Sequence, residues 1–224
     1  MNIPILSVLA SLLVLSFIGF IISSFINYKN RFNVKYNPLN MFPYELNFEA
    51  TFKDNFLGNI FLFFVSILGI TFYSFTIKGS TSGFVIILVI GGIIASILTS
   101  VIALTPLRLL KTHLFLDVLY FVSVLISLGG NALIAYDYHS TFYTDNLSLV
   151  LMIIYIVFAA LFLLIIFNPK ISLFTKMDKV ENSDGTYYYQ RPKYFALAYT
   201  EWLTIIFYII SILFSLITVL CKII

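Results

Sequence analysis

The chain has 224 residues, of which 61% are hydrophobic and 10% are charged, and its formal net charge is +3. An ordinary soluble domain carries about 25% charged residues, so this composition excludes a water-soluble globule and indicates a membrane protein. The small, scattered net charge gives no reason to expect a nucleic-acid partner. A single cysteine, Cys221, excludes an internal disulfide and a zinc site built from several thiolates.

Long apolar stretches predict the membrane spans. A helix needs about 20 apolar residues to cross a hydrocarbon layer of roughly 30 Å. Six stretches meet this requirement without a Lys or Arg: 3–26, 56–77, 84–105, 114–136, 147–167 and 202–220. All six prolines fall at span ends or in loops, so backbone hydrogen bonding within each span is expected to be unbroken. The predicted fold is an all-α integral membrane protein, with residues 1–224 forming one polytopic domain of six transmembrane helices.

The first stretch is predicted to be a retained span rather than a cleaved signal peptide. No basic residue precedes it, and no small-residue cleavage site follows it. Its positive charges, Lys29, Arg31 and Lys35, come after the span instead. This arrangement predicts that the N-terminus lies outside the cytoplasm.

The loop charges predict the same orientation. Of the 13 Lys and Arg residues, 11 fall in the loops that follow spans 1, 3 and 5. Positively charged loops stay in the cytoplasm, so segments 27–55 and 168–201 are predicted to be cytoplasmic and both termini to be outside. In the last cytoplasmic loop, Asp184-Gly185 precedes a β-prone run of tyrosines, which predicts a small β-hairpin.

Ionisable residues inside a membrane are costly and are candidate functional groups. Only Asp117 lies clearly within a predicted span, and His113 lies four residues before it on the same helical face. Thr105-Pro106 is typical of a helix start, which places this pair near the inner headgroups. The pair is either a proton or ligand site or a structural ion pair, and we favour the structural interpretation because such pairs are commoner.

A further polar cluster is predicted at the cytoplasmic face, made of Arg108, Lys111, Arg191, Lys193 and Glu201. Glu201 precedes Trp202 at the start of the sixth span. A carboxylate is stabilised at a helix N-terminus and Trp favours the membrane interface, so Glu201 needs no catalytic role. The alternative is that these groups act on a lipid at this face, together with His113 and Asp117.

Small residues at helical spacing in the third and fourth spans predict close helix packing: Gly91, Gly92, Ala95, Ser96, Ser123 and Ser127. Such residues let helix backbones approach closely in lipid, where no hydrophobic force draws helices together. A polar-lined substrate path is the alternative. We favour packing because the pattern is a common packing signal.

No motif identifies a catalytic site, a cofactor or a metal site. Asp137, His139 and Asp145 share one short predicted outer loop, but they lack a recognised ligand spacing. Neither a metal nor a cofactor is therefore predicted.

The predicted function is that of a non-catalytic integral membrane subunit or scaffold, with the bilayer and either a protein partner or a second copy of the chain as its partners. One alternative is a permease for an apolar or lipid-like substrate. A second alternative is a membrane enzyme that acts on a lipid at the cytoplasmic face. The abundance of Phe and Tyr (24 and 15 residues) suggests an AT-rich genome, and hence a bacterial cytoplasmic membrane or an organellar inner membrane.

Overall fold

The computed structural model describes residues 3–47, 53–77, 82–105, 109–142, 146–169, 171, 178–181 and 187–223. Within these ranges the chain forms six α-helices: α1 (Ile3–Phe32), α2 (Phe56–Ile77), α3 (Val85–Leu104), α4 (Leu110–Thr141), α5 (Asn146–Ile166) and α6 (Ala196–Leu220). All six are long and apolar enough to cross a membrane. This architecture is that of an all-α, multi-pass membrane protein.

Several helices extend beyond the apolar stretches that predicted them. α1 continues past residue 26 as far as Phe32, and α6 begins at Ala196 rather than near Trp202. A helix persists through polar residues until a cap ends it, whereas an apolar stretch ends at the first charge. Asn33 provides the cap of α1, because its positive φ of 53° turns the chain and its N–H donates to the carbonyl of Lys29 at 2.8 Å.

Helices that are adjacent in sequence also pack side by side, from α1 to α5, and α6 packs against α4, α1 and α3. In the most apolar part of α6, 61% of the residues are buried against other parts of the protein. In the corresponding part of α5, only 17% of the residues are buried. α5 lies at the edge of the bundle and presents most of its apolar surface outward.

Glycines allow α3 and α4 to cross in backbone contact. A Cβ atom on Gly91 would lie 2.8 Å from the backbone nitrogen of Ser127, and one on Gly130 would lie 2.7 Å from the Cα of Leu88. A Cβ atom on Gly92 would lie 2.4 Å from the ring of Tyr73 in α2. The other small residues singled out above are also buried: Ala95, Ser96, Ser123 and Ser127. All six of the predicted packing residues are thus buried in the bundle, and the two glycines among them lie where helices approach each other closely.

Hydroxyl groups link the helices within the bundle. The Tyr73 hydroxyl lies 3.1 Å from Ser127 Oγ and 3.3 Å from Ser211 Oγ, and the two serine oxygens are 2.6 Å apart. Asn131 continues this chain, because its amide donates to the Ser211 carbonyl and accepts from Ser215 Oγ. Polar groups from α2, α4 and α6 thus satisfy one another in an apolar surrounding.

The segments around β1 (Asp178–Glu181) and β2 (Tyr187–Gln190) form a two-stranded antiparallel sheet, in which Asp178 pairs with Gln190 and Glu181 with Tyr187. The turn that joins them, including Asp184 and Gly185, lies outside the described residues. Three of the four β1 side chains are exposed.

Candidate functional site

Three ionisable side chains meet where α4 and α6 begin. His113 and Asp117 come from the first two turns of α4, and Glu201 comes from the second turn of α6. His113 Nε2 lies 3.0 Å from Glu201 Oε1 and 3.7 Å from Asp117 Oδ2. One ligand atom from each side chain falls within 4.8 Å of the other two. We call these three residues the polar centre.

The end of α3 determines which imidazole nitrogen of His113 carries a hydrogen. Nδ1 lies 2.7 Å from the carbonyl oxygen of Thr105, the residue directly after α3. A carbonyl can only accept, so Nδ1 must donate, and Nε2 is left facing the two carboxylates. The ring is held in one orientation by this bond.

The polar centre is enclosed and only partly hydrogen-bonded. His113 and Glu201 are 0% exposed and Asp117 is 1% exposed. With both carboxyl groups ionised, no hydrogen bond among the described residues reaches Oδ1 or Oδ2 of Asp117 or Oε2 of Glu201, and the two carboxyl groups are close enough to bond each other when one of them is protonated. Buried carboxylate oxygens without partners are expensive, which marks this cluster as the strongest candidate site in the described part of the chain.

Aromatic rings cover the polar centre on the side of the first long loop. Phe42 and Tyr44 approach the His113 ring edge-on, with centroid distances of 5.9 and 5.7 Å. Phe195, just before α6, packs against Phe42 at 5.4 Å. These rings exclude water from the imidazole and lower the local dielectric, which strengthens every charge interaction inside.

The covering loop is shaped by Glu45. Phe42-Pro43 starts a short 3₁₀ turn, Pro43–Asn47, and the Glu45 carboxylate reaches back to accept from the Phe42 N–H at 2.7 Å. This bond is the one that the Glu of a capping box makes, and proline occupies the first position of the turn. The Glu45 carboxylate also accepts both contacts of Arg191 Nη1, at 2.7 and 2.8 Å.

Further bonds join the two loop segments 33–47 and 191–195, which together we call the cap. The Phe195 N–H donates to the Leu39 carbonyl at 2.8 Å. The Trp202 indole of α6 donates to Tyr36 and to the Met41 carbonyl, at 3.0 and 3.1 Å. The cap therefore closes this end of the bundle as one hydrogen-bonded unit.

Burial and the Glu45 carboxylate determine the protonation states of Arg191 and Tyr44 in the cap. Burial alone would lower the pKa of Arg191, but the adjacent Glu45 carboxylate outweighs it and raises that pKa above its ordinary value. Burial, with a smaller contribution from Glu45, raises the pKa of Tyr44 to about 12. At neutral pH the cap thus holds a charged Arg191 and a neutral Tyr44 beside the polar centre.

The predicted cytoplasmic-face cluster does not come together as one group. Lys111 and Lys193 are exposed, and the ammonium of Lys193 lies 5.6 Å from the ring of Tyr194. Arg191 bonds Glu45 in the cap, while Arg108 lies outside the described residues. Asp145, which was predicted in the outer loop, also lies outside them. Of the four members of this predicted cluster that the structure describes, only Glu201 joins His113 and Asp117.

Sequence reasoning treated Glu201 as a boundary residue and did not use Glu45. A signal for Glu201 is present, because polar residues recur every three or four positions along one face of α6: Glu201, Thr204, Tyr208, Ser211, Ser215 and Thr218. All of these are buried. Such a stripe in an apolar helix indicates the face that meets other helices. The Glu45 signal is its position in Phe-Pro-Tyr-Glu, two residues after a proline, where a Glu can bond the N–H that precedes the proline as the Glu of a capping box does.

Chemically, the polar centre offers one imidazole nitrogen and two carboxylates, a donor set that can bind a cation or hold a proton. Comparisons of the chain with protein-family models, with curated proteins and with solved structures found no match. Inference about function therefore starts from this geometry.

Proposed function

We propose that the protein is a non-catalytic membrane subunit or scaffold, which uses its cap and the neighbouring strand pair to hold a protein partner at the cytoplasmic face. The observation that carries this proposal is the bonding of two loops distant in sequence into one cap, through Arg191 to Glu45 and Phe195 to Leu39. A connector that only returned the chain to the membrane would need no such bonds.

The strand pair offers the cap a means of docking. Asp178, Lys179 and Glu181 are exposed, and the two strands have no third strand beside them among the described residues. An exposed strand edge presents backbone N–H and C=O groups that a partner's strand can pair with. Charged side chains on the same strand protect it from unspecific pairing and can select the partner.

The proposed setting is a bacterial cytoplasmic membrane, with an organellar inner membrane as the alternative. The basic residues Lys29, Arg31, Lys35, Lys53 and Arg191 at the cap end of the bundle favour a cytoplasmic cap. These basic side chains would also attract anionic lipid headgroups, which would hold the cap close to the bilayer surface.

The test is purification of the full chain from its own membranes in mild detergent, with Val180→Pro as the variant. Val180 pairs with Tyr188, and proline removes a backbone donor and prevents regular pairing in the strand. We expect a stoichiometric protein partner with the wild type, a loss of most of it with Val180→Pro, and equal melting temperatures. Val180→Thr is the matched control, because it keeps the backbone donor and the β-branched shape at the same position of β1.

A second candidate function is favoured by a groove of about 700 Å³ between α1 and the start of α2. Its walls are apolar, with Ile18, Ile22 and Leu57, and the end next to the cap carries Lys53 and Asp54. This shape fits an acyl chain with a polar headgroup, as in a permease for a lipid-like substrate. Wild-type protein that carries bound lipid and no stoichiometric protein would overturn the scaffold proposal in favour of this function.

A further inference from the structure

We propose that His113, Asp117 and Glu201 bind one divalent transition-metal cation between α4 and α6. This site goes beyond the scaffold function, since metal binding does not depend on a partner. The proposal departs from the sequence-based prediction of no metal site, because the contact between residue 113 and residue 201 exists only in the folded bundle.

With both carboxyl groups ionised, hydrogen bonds alone do not satisfy this cluster. The Nδ1 hydrogen of His113 is used by the Thr105 carbonyl, so the ring can offer the carboxylates at most one further hydrogen, on Nε2. That hydrogen would serve Glu201 Oε1 at 3.0 Å. Three buried carboxylate oxygens would still have no hydrogen-bond partner within the described residues: Asp117 Oδ1, Asp117 Oδ2 and Glu201 Oε2.

One cation satisfies all three side chains at once. Zn²⁺ binds His nitrogen and carboxylate oxygen at about 2.0–2.2 Å, so tetrahedral ligand atoms lie roughly 3.3–3.5 Å from one another. The separations of 3.0 and 3.7 Å from His113 Nε2 to the two carboxylates bracket this value. A neutral imidazole with two carboxylates carries a charge of −2, which a divalent cation balances inside the bundle.

The surroundings match those of protein metal sites. A metal-binding His commonly donates its other ring N–H to a backbone carbonyl, which fixes the free nitrogen toward the metal. The Thr105 carbonyl serves His113 in this way at 2.7 Å. Phe42 and Tyr44 form the apolar cover that shields such a site from water.

The donor set selects the class of cation. Imidazole with carboxylates suits Zn²⁺, Mn²⁺ or Fe²⁺, whereas Cu⁺ prefers sulfur ligands and Mg²⁺ prefers oxygen ligands and retained water. The three protein ligands leave one position of a tetrahedral cation for a further ligand. Since the ligands come from α4 and α6, a bound cation would cross-link these two helices next to the cap.

The experiment measures metal in the purified full chain by elemental analysis, before and after chelation, and then titrates Zn²⁺, Mn²⁺ and Mg²⁺ while following the melting temperature. We expect about one transition metal per chain, either as purified or after reconstitution. Zn²⁺ or Mn²⁺ should raise the melting temperature of the metal-free protein, and Mg²⁺ should not.

Asp117→Asn and Glu201→Gln keep the side-chain shape but weaken a ligand, so each should lower metal affinity on the order of tenfold or more. Asp137→Asn, at the opposite end of α4, is the matched control and should bind like the wild type. If the ligand variants do not fold, visible absorption of the Co²⁺-loaded wild type reports whether the metal has nitrogen and oxygen ligands.

A folded wild type with no stoichiometric metal as purified, and none after exposure to Zn²⁺ or Mn²⁺, would overturn the site. Unchanged affinity in both ligand variants would overturn it equally. Neither result bears on partner binding, so a failure of the metal site is distinguishable from a failure of the scaffold proposal.

Discussion

The Glu45 carboxylate accepts hydrogen bonds from two parts of the cap. One comes from the Phe42 N–H at the start of the 3₁₀ turn, and the other comes from Arg191, 146 residues away in sequence. A charge-assisted hydrogen bond is about twice as strong as a neutral one, and this pair is partly shielded from water. The position of one carboxylate thus links local turn chemistry to the closure of the bundle.

The first prediction is that Arg191→Lys destabilises the protein by about 1–2 kcal/mol, because lysine is shorter and lacks the planar group that bonds Glu45. The guanidinium also lies 5.9 Å from the Phe42 ring, a contact that an ammonium on a shorter chain would not reproduce. Thermal unfolding in mild detergent measures the change. Lys193→Ala, an exposed position two residues later, is the control, and equal stability of Arg191→Lys and wild type would contradict the role given to this pair.

For individual residues, the sequence predicted contacts within one helix but not contacts between helices. His113 and Asp117 share a helical face because they are four residues apart, and their contact at 3.7 Å follows from helix geometry. The contact of Glu201 with His113 depends on where α6 begins and how it is rotated against α4. The polar stripe of α6 indicates which face of that helix is buried, but it does not indicate that Glu201 meets His113.

The crossing of α3 and α4 shows how elements with little amphipathic character fit together. Both backbones come close at two glycines, Gly91 and Gly130, and each glycine faces backbone atoms of the other helix. Dispersion contacts and hydrogen bonds rather than hydrophobic burial hold helices together in lipid, so this closeness is a source of stability.

The second prediction uses two neighbouring glycines of α4. Gly130→Ala places a Cβ atom 2.7 Å from the Leu88 backbone, which cannot move aside as a flexible side chain can. We expect a loss of about 1–3 kcal/mol, the usual cost of overpacking. At Gly129 a Cβ atom would meet nothing within 4 Å, so Gly129→Ala should be neutral or stabilising by up to about 1 kcal/mol.

The two melting temperatures, measured in the same detergent, decide this prediction. Two variants of equal stability would contradict the crossing, since the substitutions are chemically identical and adjacent. A loss confined to Gly129→Ala would mean that α4 is rotated relative to the position described above.

The apolar stretches predicted the existence of six helices capable of spanning a membrane, because length and hydropathy are properties of each stretch alone. The ends of those helices were less predictable. α6 begins six residues before Trp202, since the polar residues Thr200 and Glu201 are buried against neighbouring helices instead of meeting water. Tertiary packing therefore decides how far a helix extends beyond its apolar segment.

At the scale of the whole molecule, the features that suggest a function lie at one end of the bundle. The polar centre, the cap and the strand pair are all built on loops or helix ends that follow α1, α3 and α5. The loops that follow α2 and α4 are short and carry one of the 13 Lys and Arg residues. Applied to this asymmetry, the positive-inside rule predicts that the cap faces the cytoplasm.

Labelling of introduced cysteines in intact cells directly tests on which side of the membrane the cap lies. In a Cys221→Ser background, Lys193→Cys places a thiol on the exposed part of the cap, and Lys222→Cys places one just beyond the end of α6. An impermeant maleimide added to intact cells should label Lys222→Cys and should label Lys193→Cys only after the membrane is permeabilised. Labelling of Lys193→Cys in intact cells, with Lys222→Cys protected until permeabilisation, would place the cap outside and contradict the proposed docking of a partner at the cytoplasmic face.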